Sequence, residues 1–439
     1  MAGPLHLTFA ELDRRVDAVA RPLSALGLGS GGRLAVLMGN NVEFVELVHA
    51  VARVGATLVP LSARLAAGEL RWQLEDAGVG ALVYDEPNRA AAEVASGSLA
   101  GLRALPAGEL GAGAPAPPLS AGGELLRIDL SAVHTIVYTA GTAGRPKGAM
   151  LTYGNHFWSA VGSALNLGLH GDDRWLACLP LFHVGGLAIL MRSVIYGVPA
   201  LLHDGFDPLA VNRAIDDEGV TTVSLVSNML QRLLEARGER PWPPGLRCVL
   251  VGGGPVPRPL LEECARRGVP ALQTYGMTEA ASQVATLAPE DAQRKLGSAG
   301  RPLLPTELRI EGEDGGALPP GEPGEIVVRG PVVTPGYFNR PEETRRMLRD
   351  GWLHTGDIGY LDREGYLYVL DRRDDLIVSG GENVYPVEVE GTLEAHPAVR
   401  EAGVVGLADE RWGQTVAATV ALRAGETVGE EELLAFCNG

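Results

Sequence analysis

The sequence predicts an α/β protein: a large N-terminal domain of parallel-rich sheets covered by helices, with an antiparallel barrel-like subdomain, and a small mobile C-terminal α+β domain. Three observations lead there. Short apolar strands alternate with helical patterns up to about Thr306, the texture changes at Leu308 to alternating strands with Gly and Pro turns, and a fresh unit starts after the charged run Arg372-Arg-Asp-Asp375. Alternation of strand and helix is the pattern of a parallel sheet covered on both faces.

The elements follow in order. Apolar positions from 9 to 26 recur at the helical interval, and residues 33–38 read as a buried strand entering a Gly-Asn-Asn turn. A helix over Val42–Val54, a strand over Thr57–Pro60, a helix over Ala67–Ala77 and a strand over Ala81–Tyr84 continue the alternation. Residues 97–123 are rich in Ala, Gly and Pro and read as a surface connection. A second unit opens with the strand 133–138. Antiparallel strands are expected at 308–311, 324–329 and 365–370, then a helix at 386–395 and strands at 402–406 and 416–422. The expected domains are 1–372, containing the barrel-like part at about 308–370, and 373–439, which looks incomplete. No internal repeat is present.

Composition narrows the function. A chain of 439 residues exceeds what one core normally organises. Its net charge of −17 excludes a general nucleic-acid surface or an anionic-membrane binder, so a phosphate ligand has to be held by local donors. The apolar stretch 175–191 is interrupted by Pro180, His183 and a Gly pair and is shorter than the ~20 residues a spanning helix needs, so no membrane insertion is expected. Cys178, Cys248, Cys264 and Cys437 form no metal-ligand spacing and, without a secretory leader, read as free thiols in the cytoplasm. A homo-oligomer is compatible with all of this.

The segment Tyr138-Thr-Ala-Gly-Thr-Ala-Gly-Arg-Pro-Lys-Gly148 follows a buried strand and concentrates glycines, hydroxyls and a lysine. Such a loop turns successive backbone N–H groups toward phosphate oxygens, with hydroxyls from Thr139 and Thr142 and charge from Lys147. It is not a P-loop, because Pro146 stands at the second glycine and Gly148 replaces the Ser or Thr that would hold magnesium.

The loop resembles the YTSGTTGxPKG signature of the adenylate-forming superfamily of acyl-CoA synthetases, luciferases and peptide-synthetase adenylation domains. The resemblance implies an AMP-forming enzyme using ATP, Mg2+ and, as acyl acceptor, coenzyme A, with Thr139, Gly141, Thr142, Gly144 and Lys147 around the phosphates. Ala140 and Ala143 depart from the usual Ser and Thr. A charge-assisted hydrogen bond is worth ~1.5–3 kcal/mol, so each lost hydroxyl weakens the grip on ATP unless backbone amides carry it.

Further segments agree in order. Gln273-Thr-Tyr-Gly-Met-Thr-Glu279 resembles the YGxTE element, which implies Tyr275 stacked on adenine beside Gly276 and Met277, Thr278 on the α-phosphate, and Glu279 on magnesium, a hard cation that takes oxygen ligands. Gly252, Gly253 and Gly254 end a strand with bare backbone at which a flat ring can approach. Trp352-Leu-His-Thr-Gly-Asp357 matches an element whose carboxylate accepts from both ribose hydroxyls, here Asp357. By the GRxxD pattern Arg372 serves the ribose and phosphate region, although Asp371 replaces the usual Gly, and Asp374 falls at the hinge of the small domain. Ser379-Gly-Gly-Glu-Asn-Val-Tyr-Pro386, with Gly380 and Gly381, resembles the loop that enters the site for thioester formation. Members of the superfamily continue to a lysine that contacts the reacting carboxylate, and no lysine follows Lys295 here. The chain is therefore expected to be truncated or impaired in adenylation.

Leu179-Pro-Leu-Phe-His183 resembles the superfamily's aromatic-His segment, which implies His183 against the acyl carboxylate. Segments 152–160, 185–197, 227–234 and 280–287 resemble the branch that activates o-succinylbenzoate, an aromatic keto acid with two carboxylates. A buried second carboxylate needs a fixed cation. Arg192, alone in an apolar run, is the candidate, with Ser282 and Gln283 as polar contacts. Medium-chain or aromatic acyl-CoA synthetases, a nucleotide-binding relative without adenylation and a luciferase-like oxidase remain alternatives.

Overall fold

The computed structural model describes residues 5–97, 99–111, 127–139, 145–372, 377–379, 382–384, 386–409 and 413–438. Strands Arg33–Leu37, Thr57–Pro60, Ala81–Tyr84, Arg103–Pro106 and Val133–Thr139 form the parallel part of one seven-stranded sheet. Lys147–Thr152 and Gly336–Tyr337 extend it antiparallel beyond Val133–Thr139. The second seven-stranded sheet runs Ala200–Leu202, Trp175–Ala177, Thr222–Leu225, Cys248–Val251 and Ala271–Tyr275 in parallel, and closes with antiparallel Ala285–Thr286 and Arg301–Pro302. Glu307–Glu311, Gly324–Arg329, Leu348–Arg349, Trp352–Leu361 and Leu367–Arg372 make an antiparallel third sheet. A smaller antiparallel sheet of Ile377–Ser379, Glu382–Val384, Val399–Asp409 and Gly413–Leu422 carries helices Pro386–Glu394 and Glu430–Asn438.

The parallel strands are buried on both faces: Leu34, Ala35, Val36 and Leu37 are all sealed from solvent, as helix-covered sheets require. Helix boundaries follow local chemistry. Asn41 accepts from the Phe44 N–H to start Val42–Val54, which ends on left-handed Gly55, and Thr152 caps Tyr153–Leu167 through a reciprocal capping box.

One expectation is corrected. The stretch 97–123 is not wholly a connection: Arg103–Pro106 adds an edge strand beside Ala81–Tyr84, and Ala107 and Leu110 are buried after it. Four residues ending in Pro show no periodicity, and only the neighbouring strand makes them β. The tail strands also run longer than expected, as Val399–Asp409 and Gly413–Leu422. Cys178, Cys248 and Cys264 are buried free thiols, and burial pushes each up to about 12. No helix among the described residues is long and apolar enough to cross a membrane.

Three histidines cluster between the helices and the first sheet. His134 Nε2 lies 3.1 Å from the Val48 carbonyl, its ring is 5.2 Å from that of His156, and His156 Nε2 is 3.3 Å from Thr135 Oγ1. Burial holds His49 and His134 down to about 4; burial, His134 and the Arg192 charge hold His156 well below its ordinary value, and Arg53 also faces His49. The folded protein therefore keeps these imidazoles neutral while the unfolded chain protonates them near 6.5. Stability from this cluster is complete above about pH 6.5 and is lost as pH falls toward 4. Melting temperature should fall across that window, and His134→Gln should flatten the fall; an unchanged slope in that variant would show that the cluster is not its source.

Candidate active site

The chemistry-bearing residues gather where parallel strands end. Thr139, Gly252 and Tyr275 all lie at the carboxyl ends of their strands, the edge at which open α/β sheets hold ligands. Gly252 sits where a Cβ would meet Thr274 Cγ2 at 2.6 Å, so glycine is needed there for the neighbouring strand as well as for bare backbone. Gly253 has φ +81°, and a Cβ on Gly254 would meet nothing within 4 Å.

After Tyr275 the chain folds back sharply. The Ser282 N–H donates to the Met277 carbonyl at 3.2 Å and the Val284 N–H to the Tyr275 carbonyl at 2.9 Å. Ala281 and Ser282 take positive φ of 50° and 93°, and a Cβ on Gly276 would lie 1.5 Å from the Ser282 carbonyl oxygen. Only glycine fits there. Ser159 Oγ donates to the Ala281 carbonyl at 2.7 Å, pinning the loop to helix Tyr153–Leu167. Half-buried Thr278 and buried Glu279 lie on the short 3-10 turn Thr278–Ala280 that this fold-back creates.

Glu279 Oε1 accepts from the Tyr337 hydroxyl at 2.7 Å and from Thr139 Oγ1 at 3.5 Å, while its backbone carbonyl accepts from the Thr334 N–H at 2.8 Å. The Lys147 ammonium stands 5.4 Å from the centroid of the Tyr337 ring. The described residues hold no group of three or more His, Cys, Asp or Glu that could bind a metal alone. One carboxylate suits a magnesium ion that arrives with phosphate oxygens and keeps waters.

The Tyr275 hydroxyl donates to Asp357 Oδ2 at 2.6 Å, and both side chains are buried. Asp357 is opposite Arg372 in the antiparallel pair Trp352–Leu361 and Leu367–Arg372, so the register brings the Arg372 backbone beside it. Gly141, Thr142, Gly144, Ala140 and Ala143 lie outside the described residues, as do Asp374, Gly380 and Gly381.

The acid-site candidates sit on two elements, the helix Val184–Tyr196 with its N-cap and the fold-back after Tyr275. His183 is the exposed N-cap residue of helix Val184–Tyr196, its ring 4.4 Å from that of Phe182. Arg192, in the same helix, is 2% exposed, with its guanidinium 5.2 Å from the Trp175 ring. Among the described residues its Nε and Nη2 have no hydrogen-bond partner, and the groups that act on its charge are Tyr196 and Cys248 and not an acid. Ser282 is half-buried on the fold-back. Gln283 is buried, and its amide donates to Thr274 Oγ1 at 3.3 Å and Thr286 Oγ1 at 3.0 Å, bracing the turn from inside.

Several supports carried no sequence motif. Asn40 Nδ2 donates to the Leu179 carbonyl at 2.9 Å and the His203 carbonyl at 3.1 Å while its Oδ1 accepts from the Leu181 N–H, joining the 179–183 segment to the first sheet. Asn155 Nδ2 donates to the Pro331 and Val333 carbonyls at 2.9 Å, holding the turn that leads to Tyr337. The Tyr138 hydroxyl donates to Asp76 Oδ2 at 2.8 Å, anchoring the strand before the phosphate loop. The Gly-Asn-Asn turn was the one available signal for Asn40.

Residues 2–338 match the AMP-binding enzyme family and residues 388–439 match the AMP-binding enzyme C-terminal domain, so this chain belongs to the AMP-binding enzymes. Among its relatives is the 2-succinylbenzoate–CoA ligase of Bacillus cereus, 50% identical over 438 residues, covering 98% of this chain and 86% of the relative. The o-succinylbenzoate CoA synthetase of Bacillus subtilis, solved with its acyl-adenylate intermediate, superposes with a TM-score of 0.91 at 45% identity, over 98% of this chain and 86% of that one. The same Bacillus subtilis enzyme with ATP and magnesium gives 0.89 at 45% identity, over 98% and 87%.

Replacing Gly276 by Ala should displace the Ser282 carbonyl and the Thr278–Ala280 turn. Equilibrium binding should show ATP affinity at least ~tenfold weaker, as loss of one charge-assisted contact already implies. Wild-type affinity in G276A would mean that the fold-back does not shape the nucleotide site.

Proposed function

We propose that this chain is an AMP-forming acid–thiol ligase that activates 2-succinylbenzoate with MgATP to the acyl-adenylate and transfers the acyl group to coenzyme A, giving 2-succinylbenzoyl-CoA for menaquinone biosynthesis in the cytoplasm. The supporting observations are the meeting of Thr139, Lys147 and Glu279 around Tyr337 and the tie between Tyr275, four residues before Glu279, and Asp357. One nucleotide laid across them would have its phosphates at the first group and its sugar at the second.

In the first half-reaction an acid oxygen attacks the α-phosphorus and the bond to pyrophosphate breaks. Thr139, Lys147 and Thr142 hold the departing phosphates, and Thr278 donates to the α-phosphate as its negative charge grows. Glu279 would hold the magnesium ion that arrives with ATP, which would supply positive charge against that build-up. Asp357 accepts from the ribose hydroxyls, and Tyr275 both orients that carboxylate and offers its ring to adenine. Arg372 acts on the ribose and phosphate side. In the second half-reaction the thiol of coenzyme A loses its proton, its sulfur attacks the acyl carbonyl and AMP leaves. Residues 373–439 act as the mobile domain, with Asp374 as hinge and Gly380 and Gly381 in the thioester loop.

Acid choice rests on Arg192. A guanidinium that is 2% exposed, with two nitrogens lacking partners, is a costly arrangement unless an anion completes it, and 2-succinylbenzoate brings a second carboxylate. His183 caps the same helix on the side assigned to the reacting carboxylate.

Incubation with ATP, magnesium and 2-succinylbenzoate should release pyrophosphate and yield the acyl-adenylate by mass spectrometry, in this chain or in a form extended through the superfamily's terminal lysine; adenylate from neither form overturns the reading. Arg192→Met should lower kcat/KM for 2-succinylbenzoate by roughly 10–100-fold while sparing benzoate, in line with a charged hydrogen bond. Equal loss for both acids would assign Arg192 to packing alone.

A further inference from the structure

Tyr337 has no place in any of the motifs, yet its two ends touch the two charged groups on which phosphate chemistry depends. We propose that Tyr337 is a positioning residue: its hydroxyl orients the Glu279 carboxylate and its ring seats the Lys147 ammonium, so that one side chain sets the metal-binding and phosphate-binding groups together. This inference rests on reading Glu279 as the magnesium carboxylate and Lys147 as a phosphate ligand.

The backbone that presents Tyr337 is tightly held. Gly336–Tyr337 is the antiparallel edge strand beside Lys147–Thr152, with Tyr337 opposite Ala149 and Gly336 opposite Met150. The Phe338 N–H donates to the Gly148 carbonyl at 2.8 Å, and the Tyr337 N–H to Thr344 Oγ1 at 3.0 Å. Thr334 Oγ1 donates to the Gly336 carbonyl at 3.0 Å and also bonds the Met150 carbonyl. Gly336 has φ +139°, and a Cβ there would meet Thr344 Cγ2 at 2.4 Å, so this approach to helix Pro341–Met347 requires glycine. The phenol therefore leaves a fixed strand at a fixed register.

From that base, the hydroxyl donates to Glu279 Oε1 at 2.7 Å, with Thr139 Oγ1 on the same oxygen at 3.5 Å. Anchoring one carboxylate oxygen removes side-chain rotation and leaves Oε2 as the oxygen presented to a cation; outer partners of this kind tune metal affinity by 10–100-fold in metal sites generally. The 5.4 Å separation of the Lys147 ammonium from the ring centroid is within cation–π range, so the aromatic face keeps the lysine over the crevice when no phosphate is bound. Thr334, three residues earlier, fixes the Glu279 backbone through its N–H. One short segment thus controls both the main chain and the side chain of the carboxylate.

The test separates the hydroxyl from the ring. Mn2+ binding in the presence of ATP, followed by electron paramagnetic resonance, and ATP binding in EDTA, followed by calorimetry, are compared for wild type, Y337F, Y337L and E279Q; neither measurement needs turnover. Y337F should weaken Mn2+ about tenfold or more and leave cation-free ATP affinity unchanged. Y337L should show the same Mn2+ loss together with severalfold weaker ATP binding in EDTA, because Lys147 loses its seat. Wild-type Mn2+ affinity in Y337F, with E279Q weakened, overturns the role of Tyr337 and leaves the metal reading intact. Wild-type Mn2+ affinity in E279Q overturns the metal reading and the inference with it. Equal ATP affinity in Y337L and Y337F overturns the lysine half. Matching melting temperatures of ligand-free Y337F and wild type confirm that the comparison concerns the site.

Discussion

A buried carboxylate sets the terms for the site. Glu279 is almost wholly removed from water, and an ionised carboxylate in that position is costly unless donors surround it. Its donors come from two distant parts of the chain, Thr139 at the end of a parallel strand and the Tyr337 hydroxyl on an added edge strand, while the Thr334 N–H holds the backbone carbonyl of the same residue. Meeting that one requirement draws the end of the first sheet, the fold-back after the second sheet and the segment leading to the third against one another.

The two large sheets reach this arrangement through side-chain amides as well as apolar packing. Asn40 ties the first sheet to the 179–183 segment of the second, and Asn155 ties helix Tyr153–Leu167 to the 331–333 carbonyls. Both asparagines are buried, and each meets backbone carbonyls that would otherwise lack a donor. The sharpest constraint is steric: the turn that carries Thr278 and Glu279 exists because Gly276 has no Cβ to strike Ser282.

Arg192 and the histidine cluster show the opposite electrostatic situation. His156 is sealed beside His134 and feels the Arg192 charge, so the neutral imidazole is the favoured form. The arginine itself is held below its ordinary pKa by burial and has Tyr196 and Cys248 near it instead of an acid. A positive group that pairs with no acid among the described residues, in a protein of net charge −17, is a local feature that global charge does not explain.

The sequence by itself determined the sheet class, the family and the residues proposed to handle nucleotide, because strand–helix alternation and the glycine, threonine and lysine pattern of 138–148 are local in the chain. The run ending in Glu279 and the element ending in Asp357 were legible for the same reason. What only the tertiary structure decided is pairing at long range: that Tyr275 reaches Asp357, that Tyr337 reaches Glu279 and Lys147, that Gln283 braces its own turn, and that Arg192 lies sealed without an acid. Arg103–Pro106 became a strand only because an open sheet edge accepted it. Hydrogen-bond geometry between residues 58 to 82 positions apart depends on register and packing, and no periodicity in one chain encodes it.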